Sequence, residues 1–268
     1  MSSSPPAPQP ASPPTVLTFA ASDPTSGAGL QADVLTIAAL RCHPLCVLTA
    51  VTEQDTAGVA RMLNIDAAWI TAQARRLLDD LQVAAFKAGV LGSAANARAV
   101  ASIVATQPAV PFVVDPVLAS GRGDTLAGSD TIDALLGHIL PRATVLTPNS
   151  VEARRLAAPE TDLARCARRL VEHGCRYVLI TGTHEATDDV RNTLYDKNGV
   201  VREDRWPRLP GSYHGSGCTL ASAIAAYLAL GRPVEQAAAD AQQFTWRALQ
   251  AGFKPGRGQF VPQRFFAS

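Results

Sequence analysis

The chain has 268 residues, 47% of them apolar, enough to bury a large core in one α/β domain. A formal net charge of +1, with Lys and Arg dispersed along the chain, excludes the electrostatic footprint of a nucleic-acid or anionic-membrane binder, and no stretch is long and apolar enough to span a bilayer. The five cysteines (Cys42, Cys46, Cys166, Cys175, Cys218) are odd in number and form no C-x-x-C pair, which argues for a reducing, cytoplasmic compartment rather than a disulfide frame.

Residues 1–14 are Ser, Pro, Ala and Gln after Met1, without the basic and apolar segments of a signal peptide, and read as a disordered tail. Residues 16–21 form a first apolar strand. It ends in a turn-rich segment, 22–29, with two glycines, and Leu30, Val34, Ile37 and Leu40 then recur on one face of a helix. Strand, glycine loop and helix open a βαβ unit. The loop has neither G-x-G-x-x-G nor a Walker lysine, so a close backbone approach to a small ligand is expected there rather than dinucleotide binding.

Residues 46–52 are the next strand, running into Glu53-Gln-Asp-Thr56. The amide of Gln54 offers two donors and an acceptor, suited to the edge of an aminopyrimidine; a surface-loop glutamine is the bland alternative. Helices are predicted over 66–81, 94–106, 131–140 and 161–173, the last capped by Thr161 and stopped by Gly174. Strands are predicted over 83–89, 111–115, 144–149 and 177–180. Two of these successive strands end in Asp115 and in Asn149, with Glu152 three residues further on. Oxygen ligands at neighbouring strand ends suit Mg²⁺, although each also has a local use: a turn aspartate before proline, or a carboxylate at a helix N-terminus. Residues 190–196 and 200–206 form a hairpin across Asn198-Gly199.

Gly215-Ser216-Gly217-Cys218 then runs straight into a helix of small and apolar residues. Its glycines let successive N–H groups converge, and the helix adds unpaired first-turn donors and the positive end of its dipole. This is a phosphate-type anion site, in which the dipole favours a Cys218 thiolate; the alternative is a tight turn with Cys218 as a small core residue. A last helix covers 233–251, and the tail from Lys254 is irregular. The strand–helix alternation implies a parallel sheet with helices on both faces and the polar residues along one edge.

Five segments, in order, resemble the hydroxymethylpyrimidine/phosphomethylpyrimidine kinases of thiamine biosynthesis, within the ribokinase superfamily. They are Leu17-Thr-Phe-Ala-Ala-Ser-Asp-Pro-Thr-Ser-Gly-Ala-Gly-Leu-Gln-Ala-Asp33, Thr49-Ala-Val-Thr-Glu-Gln-Asp-Thr56, Val113-Val-Asp-Pro-Val117, Leu146-Thr-Pro-Asn-Ser-Val-Glu-Ala153 and His214-Gly-Ser-Gly-Cys-Thr219. The resemblance implies a ribokinase-like three-layer sandwich over 15–268, with a mostly parallel central sheet and helices on both faces, and a homodimer. It implies ATP and Mg²⁺ as cofactors, and phosphorylation of 4-amino-5-hydroxymethyl-2-methylpyrimidine and then of its monophosphate. By position it makes Cys218 the general base and the N–H groups of Gly215, Ser216, Gly217 and Cys218 the phosphoryl grip. Asp33, Gln54, Ala21, Val90 and Val117 fall to the pyrimidine, Asp115 and Glu152 to the metal, and Asn149, Thr181 and Thr183 to the ATP side. Two family lysines are absent: Thr181-Gly-Thr183 stands where many members have Lys-Gly-Gly, and the loop after Asp115 carries Arg122 as the expected substitute for the other. Ala21 and Val90 replace a frequent glycine and methionine. A pyridoxal-type kinase and a non-catalytic pyrimidine-binding homologue are the competing readings.

Overall fold

Short runs of Val, Leu, Phe and Ala alternate with helices, and in the computed structural model they assemble into a sheet of nine strands among the described residues, 12–119 and 126–266. The strands are β1 (Thr15–Ser22), β2 (His43–Asp55), β3 (Gly58–Asn64), β4 (Ala85–Ala88), β5 (Phe112–Val114), β6 (Val145–Leu146), β7 (Tyr177–Thr181), β8 (Asp189–Asp196) and β9 (Gly199–Pro207). Their spatial order is β3-β2-β1-β4-β5-β6-β7-β8-β9. The six from β2 to β7 run parallel; β3 is antiparallel to β2 at one edge, and the β8–β9 hairpin is antiparallel to β7 at the other.

The helices are α1 (Gly29–Ala39), α2 (Ala67–Asp80), α3 (Ala94–Val104), α4 (Ser129–Ala134), α5 (Ser150–Leu156), α6 (Leu163–Glu172), α7 (Ser216–Ala229) and α8 (Val234–Gln250). Those from α2 to α6 share one core with the sheet, and α1, α7 and α8 share a second core on the opposite face. Strand alternation assigns each side chain: Phe112 and Val114 enter the first core and Val113 the second. The ribokinase-like three-layer arrangement expected from the sequence is therefore present. None of the described helices is long and apolar enough to cross a membrane.

Several local expectations are corrected. Gln54 lies within β2 rather than beyond it, because β3 pairs with the extended strand through residue 55. The strand β3 itself was not expected, since its residues alternate poorly and are mostly exposed. The single helix expected over 131–140 is α4, then a π turn (Leu135–Ile139), then a 3₁₀ turn (Leu140–Arg142). Pro141 has no N–H to give residue 137, which loosens the α ladder there. The cap of α6 is Asp162, not Thr161; its carboxylate accepts the Arg165 N–H at 2.9 Å. The tail after α8 is tied down by bridges pairing Tyr213 with Phe260 and Phe253 with Val261. Of the expected disordered tail, residues 1–11 lie outside the described residues, as does Arg122.

Candidate active site

A cleft of about 540 Å³ runs along the carboxyl edge of the sheet, from β2 and β3 at one end to β9 and α8 at the other. Ala21, Gln54, Val90, Asp115, Val117, Asn149, Glu152, Thr181 and Thr183 all line it, together with Gly215, Ser216, Gly217 and Cys218. This is where an open parallel sheet places ligands, because the crossovers leave room beyond the strand ends. Val117 holds a left-handed φ of 34° at the cleft wall, a strained conformation for a β-branched residue.

The N-terminus of α7 is built by close backbone packing. Gly215, its cap, has φ +83°, and a Cβ there would lie 1.9 Å from the Gly27 carbonyl. Only glycine lets the 22–28 loop press against the helix start. Asp23 organises that loop: its carboxylate accepts the N–H groups of Thr25 and Ala28 at 2.8 Å each, and His214 Nε2 lies 2.8 Å from Oδ2. Burial pushes the Asp23 carboxyl up, but His214 and the N–H groups of Ala28 and Thr25 outweigh it and hold the group below its usual range. A carboxylate can only accept, so Nε2 carries the imidazole proton. The Gln54 amide nitrogen lies 3.3 Å from the same ring nitrogen, but with the proton on Nε2 both are donors, so the two are neighbours rather than hydrogen-bond partners.

The centre of the cleft is crowded with charge. Asp115 lies over the first turn of α7, where a Cβ built on Gly217 would be 3.5 Å from its Oδ2. That buried oxygen has no well-formed hydrogen bond among the described residues, although the Cys218 thiol is near enough to favour the charged carboxylate. Burial lifts the Asp115 carboxyl to about 6 against the opposing charge of Lys87. Glu152 is lifted to about 7, by burial and then by the charge of Asp115. Its oxygens accept N–H groups from Leu118 at 3.1 Å and Asn149 at 3.0 Å, the second as half of a capping box with Asn149. Glu152 thus has the local use expected of it, capping α5, and also lines the cleft.

Two expectations at this centre change. The helix N-terminus does not decide the Cys218 thiol: burial, and then the nearby charge of Asp115, push it up to about 12 despite its place in the first turn. Asp33 does not line the cleft. It is fully buried one layer beneath, where Lys87 Nζ meets both its oxygens at 2.9 Å and Thr18 and Ser222 donate at 2.5 and 2.7 Å. Lys87 does reach the cleft floor, under Gly89. Burial pulls its ammonium down, but Asp33, Cys218 and Asp115 together hold it above its ordinary value.

Sequence reasoning missed Lys87, whose only signal was a lysine inside an apolar strand run. It also missed the far end of the cleft. There Trp206 stacks on Trp246, centroids 6.1 Å apart, with their indole N–H groups donated to Gln242 Oε1 and the Pro207 carbonyl. Thr245 beside them keeps a buried hydroxyl without a partner among the described residues. Arg208 clasps the 183–187 loop through the carbonyls of Thr183, Glu185 and Thr187.

A mostly parallel sheet covered on both faces, with a glycine-capped helix aimed at a charged cleft, is the ribokinase-like architecture. Solved structures agree. A Staphylococcus aureus pyridoxal kinase in complex with ADP superposes with a TM-score of 0.87 at 28% identity, over 95% of this chain and 94% of that one. A Clostridium difficile phosphomethylpyrimidine kinase superposes with a TM-score of 0.77 at 29% identity, over 88% and 99%. The family described as phosphomethylpyrimidine kinase matches residues 23–263, and the chain belongs to it. Curated relatives include the hydroxymethylpyrimidine/phosphomethylpyrimidine kinases of Streptomyces coelicolor, 42% identical over 257 residues and 93% of each chain, and of Synechococcus elongatus, 40% identical over 253 residues, 92% of this chain and 95% of that one.

Proposed function

We propose that this kinase transfers the γ-phosphoryl of ATP to the hydroxymethyl group of 4-amino-5-hydroxymethyl-2-methylpyrimidine and then phosphorylates that monophosphate, in the service of thiamine biosynthesis. The observation that carries the reading is the position of the α7 N-terminus, between the end of the cleft bearing Gln54 and the end bearing the Trp206–Trp246 pair. Relatives at 40–42% identity carry this activity in their names.

The pyrimidine lies against Ala21, Gln54, Val90 and Val117, with the Gln54 amide beside His214. The nucleotide lies toward Asn149, Thr181, Thr183 and Trp246. The N–H groups at residues 215–218 grip the transferring phosphoryl, and fixed donors of this kind supply most of what a loose phosphoryl-transfer transition state needs. Asp115 and Glu152 suit a magnesium ion: one oxygen of Asp115 is orphaned and the two carboxyls repel one another, which a bound cation would relieve. When bound, that ion supplies charge neutralisation for the phosphates.

Burial and the charge of Asp115 favour the Cys218 thiol, so to serve as the base for the alcohol it must first give up its own proton. A phosphate acceptor is already ionised near neutral pH and needs no such base. Pyridoxal is the second candidate acceptor, because pyridoxal kinases of Staphylococcus aureus and Bacillus subtilis superpose at a TM-score of 0.87. ADP-release assays on the alcohol, the monophosphate and pyridoxal decide between them. Turnover of both pyrimidines, with pyridoxal at least about tenfold poorer in kcat/KM, is expected. In single turnovers Cys218→Ala should slow transfer to the alcohol about tenfold or more and transfer to the monophosphate less. Preference for pyridoxal would overturn the acceptor, and equal loss on both pyrimidines would overturn the base.

A further inference from the structure

Arg264 lies in the segment after α8, outside the cleft lining, and is only 3% exposed. Among the described residues it pairs with no carboxylate. Its guanidinium donates from Nη2 to the Gly27 carbonyl at 2.6 Å, from Nη1 to the Ser26 carbonyl at 3.4 Å and from Nε to the Thr219 hydroxyl at 3.1 Å. The Thr219 hydroxyl in turn donates to the Gly215 carbonyl at 2.8 Å, which also accepts the Thr219 N–H at 2.9 Å. The Gly215 carbonyl and the Ser216 N–H are opposite ends of one peptide unit. Electron density drawn toward that oxygen makes the N–H a stronger donor, and hydrogen bonds in series reinforce each other in a low-dielectric interior.

We infer that Arg264 is a positioning residue for phosphoryl transfer: a buried cation that polarises the Gly215–Ser216 peptide through Thr219 and so strengthens the grip on the transferring phosphoryl. The inference rests on the assignment of residues 215–218 as that grip. A buried charge that pairs directly with no carboxylate among the described residues is costly, and a site that must hold extra negative charge in the transition state gives it a use. Burial pulls the guanidinium below its ordinary value, with Cys218, Asp33 and Asp23 opposing, yet a guanidinium stays a cation at neutral pH.

A merely structural role predicts something different. Arg264 also pins Ser26 and Gly27, so loss of that clasp alone would loosen the 22–28 loop beside the pyrimidine and raise KM. Steady-state kinetics on the full chain separates the two. Arg264→Met is expected to lower kcat about 30-fold with the pyrimidine KM within about twofold, and Arg264→Lys to recover most of the loss. Thr219→Val should lower kcat about tenfold, Thr219→Ser should not, and the Met/Val double variant should be no slower than Arg264→Met, because both act on one path. A raised KM with kcat intact, a lysine variant as slow as the methionine variant, or a serine variant as slow as the valine variant overturns the inference. If Arg264→Met does not fold, the Thr219 pair decides it. Gly215→Ala tests the grip itself: near-normal turnover there removes the underlying assignment, whereas loss of turnover there with normal Arg264 and Thr219 variants removes the relay alone.

Discussion

Phe86 and Lys87 are neighbours in β4 and serve opposite sides of the sheet. Phe86 enters the core under α2 to α6, 6.4 Å from the Phe19 ring and 6.5 Å from that of Phe112. Lys87 enters the side covered by α1 and α7, where it meets Asp33, whose carboxylate also accepts the hydroxyls of Thr18 and Ser222. Both are fully buried. One face is filled with large apolar side chains. The other combines an alanine-rich α7, small enough to lie close to the sheet, with a buried ionic cluster directly beneath the cleft. The contrast teaches that burial has two purposes here: stability comes mainly from the first face, and the second gives up some stability to hold fixed charges under the reacting groups.

The contrast is sharpest in paired substitutions. Phe86→Ala should cost ~3–5 kcal/mol of stability by leaving a cavity between two rings, while kcat per folded molecule stays within about threefold. Lys87→Met should cost ~3–5 kcal/mol as well, because it strands a buried carboxylate, but it should also remove most turnover. Chemical denaturation and active-site-normalised kinetics check both. If Phe86→Ala harmed kcat as severely as Lys87→Met, the division between the faces would fail.

A smaller effect comes from Asp115. Its carboxyl, lifted to about 6, is favoured in the neutral form by the fold, so the stability it contributes is present below its unfolded pKa and lost as pH rises through about 6. Metal-free protein should therefore lose ~2 kcal/mol from this group between pH 4 and pH 8. Asp115→Asn should remove that slope, and Mg²⁺ should restore wild-type stability at pH 8. Thermal melts with chelator across this range test it; an unchanged slope in the asparagine variant would contradict it.

Most of the sheet, the glycine-capped α7 and the strand-end polar residues of the cleft were legible in the sequence because strand runs, turn glycines and strand-end polar residues are local signals. Gln54, Asp115, Asn149 and Glu152 each end or follow an apolar run, and the parallel topology alone brings such ends to one edge. What was not legible depends on the third dimension. Nothing local says that Asp33, on the inner side of α1, finds Lys87 from a strand 54 residues away rather than a ligand. The dipole argument for a Cys218 thiolate was sound in sign but was outweighed by burial and by Asp115, which arrives from another strand. Arg264, in a tail without periodicity, showed no sign of its place behind the Gly215 peptide.

The most direct test replaces the ion pair as a unit, Asp33→Leu with Lys87→Met. Removing both charges strands no charge within the pair and leaves only the Thr18 and Ser222 hydroxyls without their acceptor, so the doubly substituted protein should recover most of the stability that Lys87→Met alone loses. Its turnover should nevertheless stay at least about 100-fold below wild type, because the fixed charge under Cys218 and Asp115 is gone. A double variant that is stable and turns over at the wild-type rate would contradict the claim that this face is organised for the reaction.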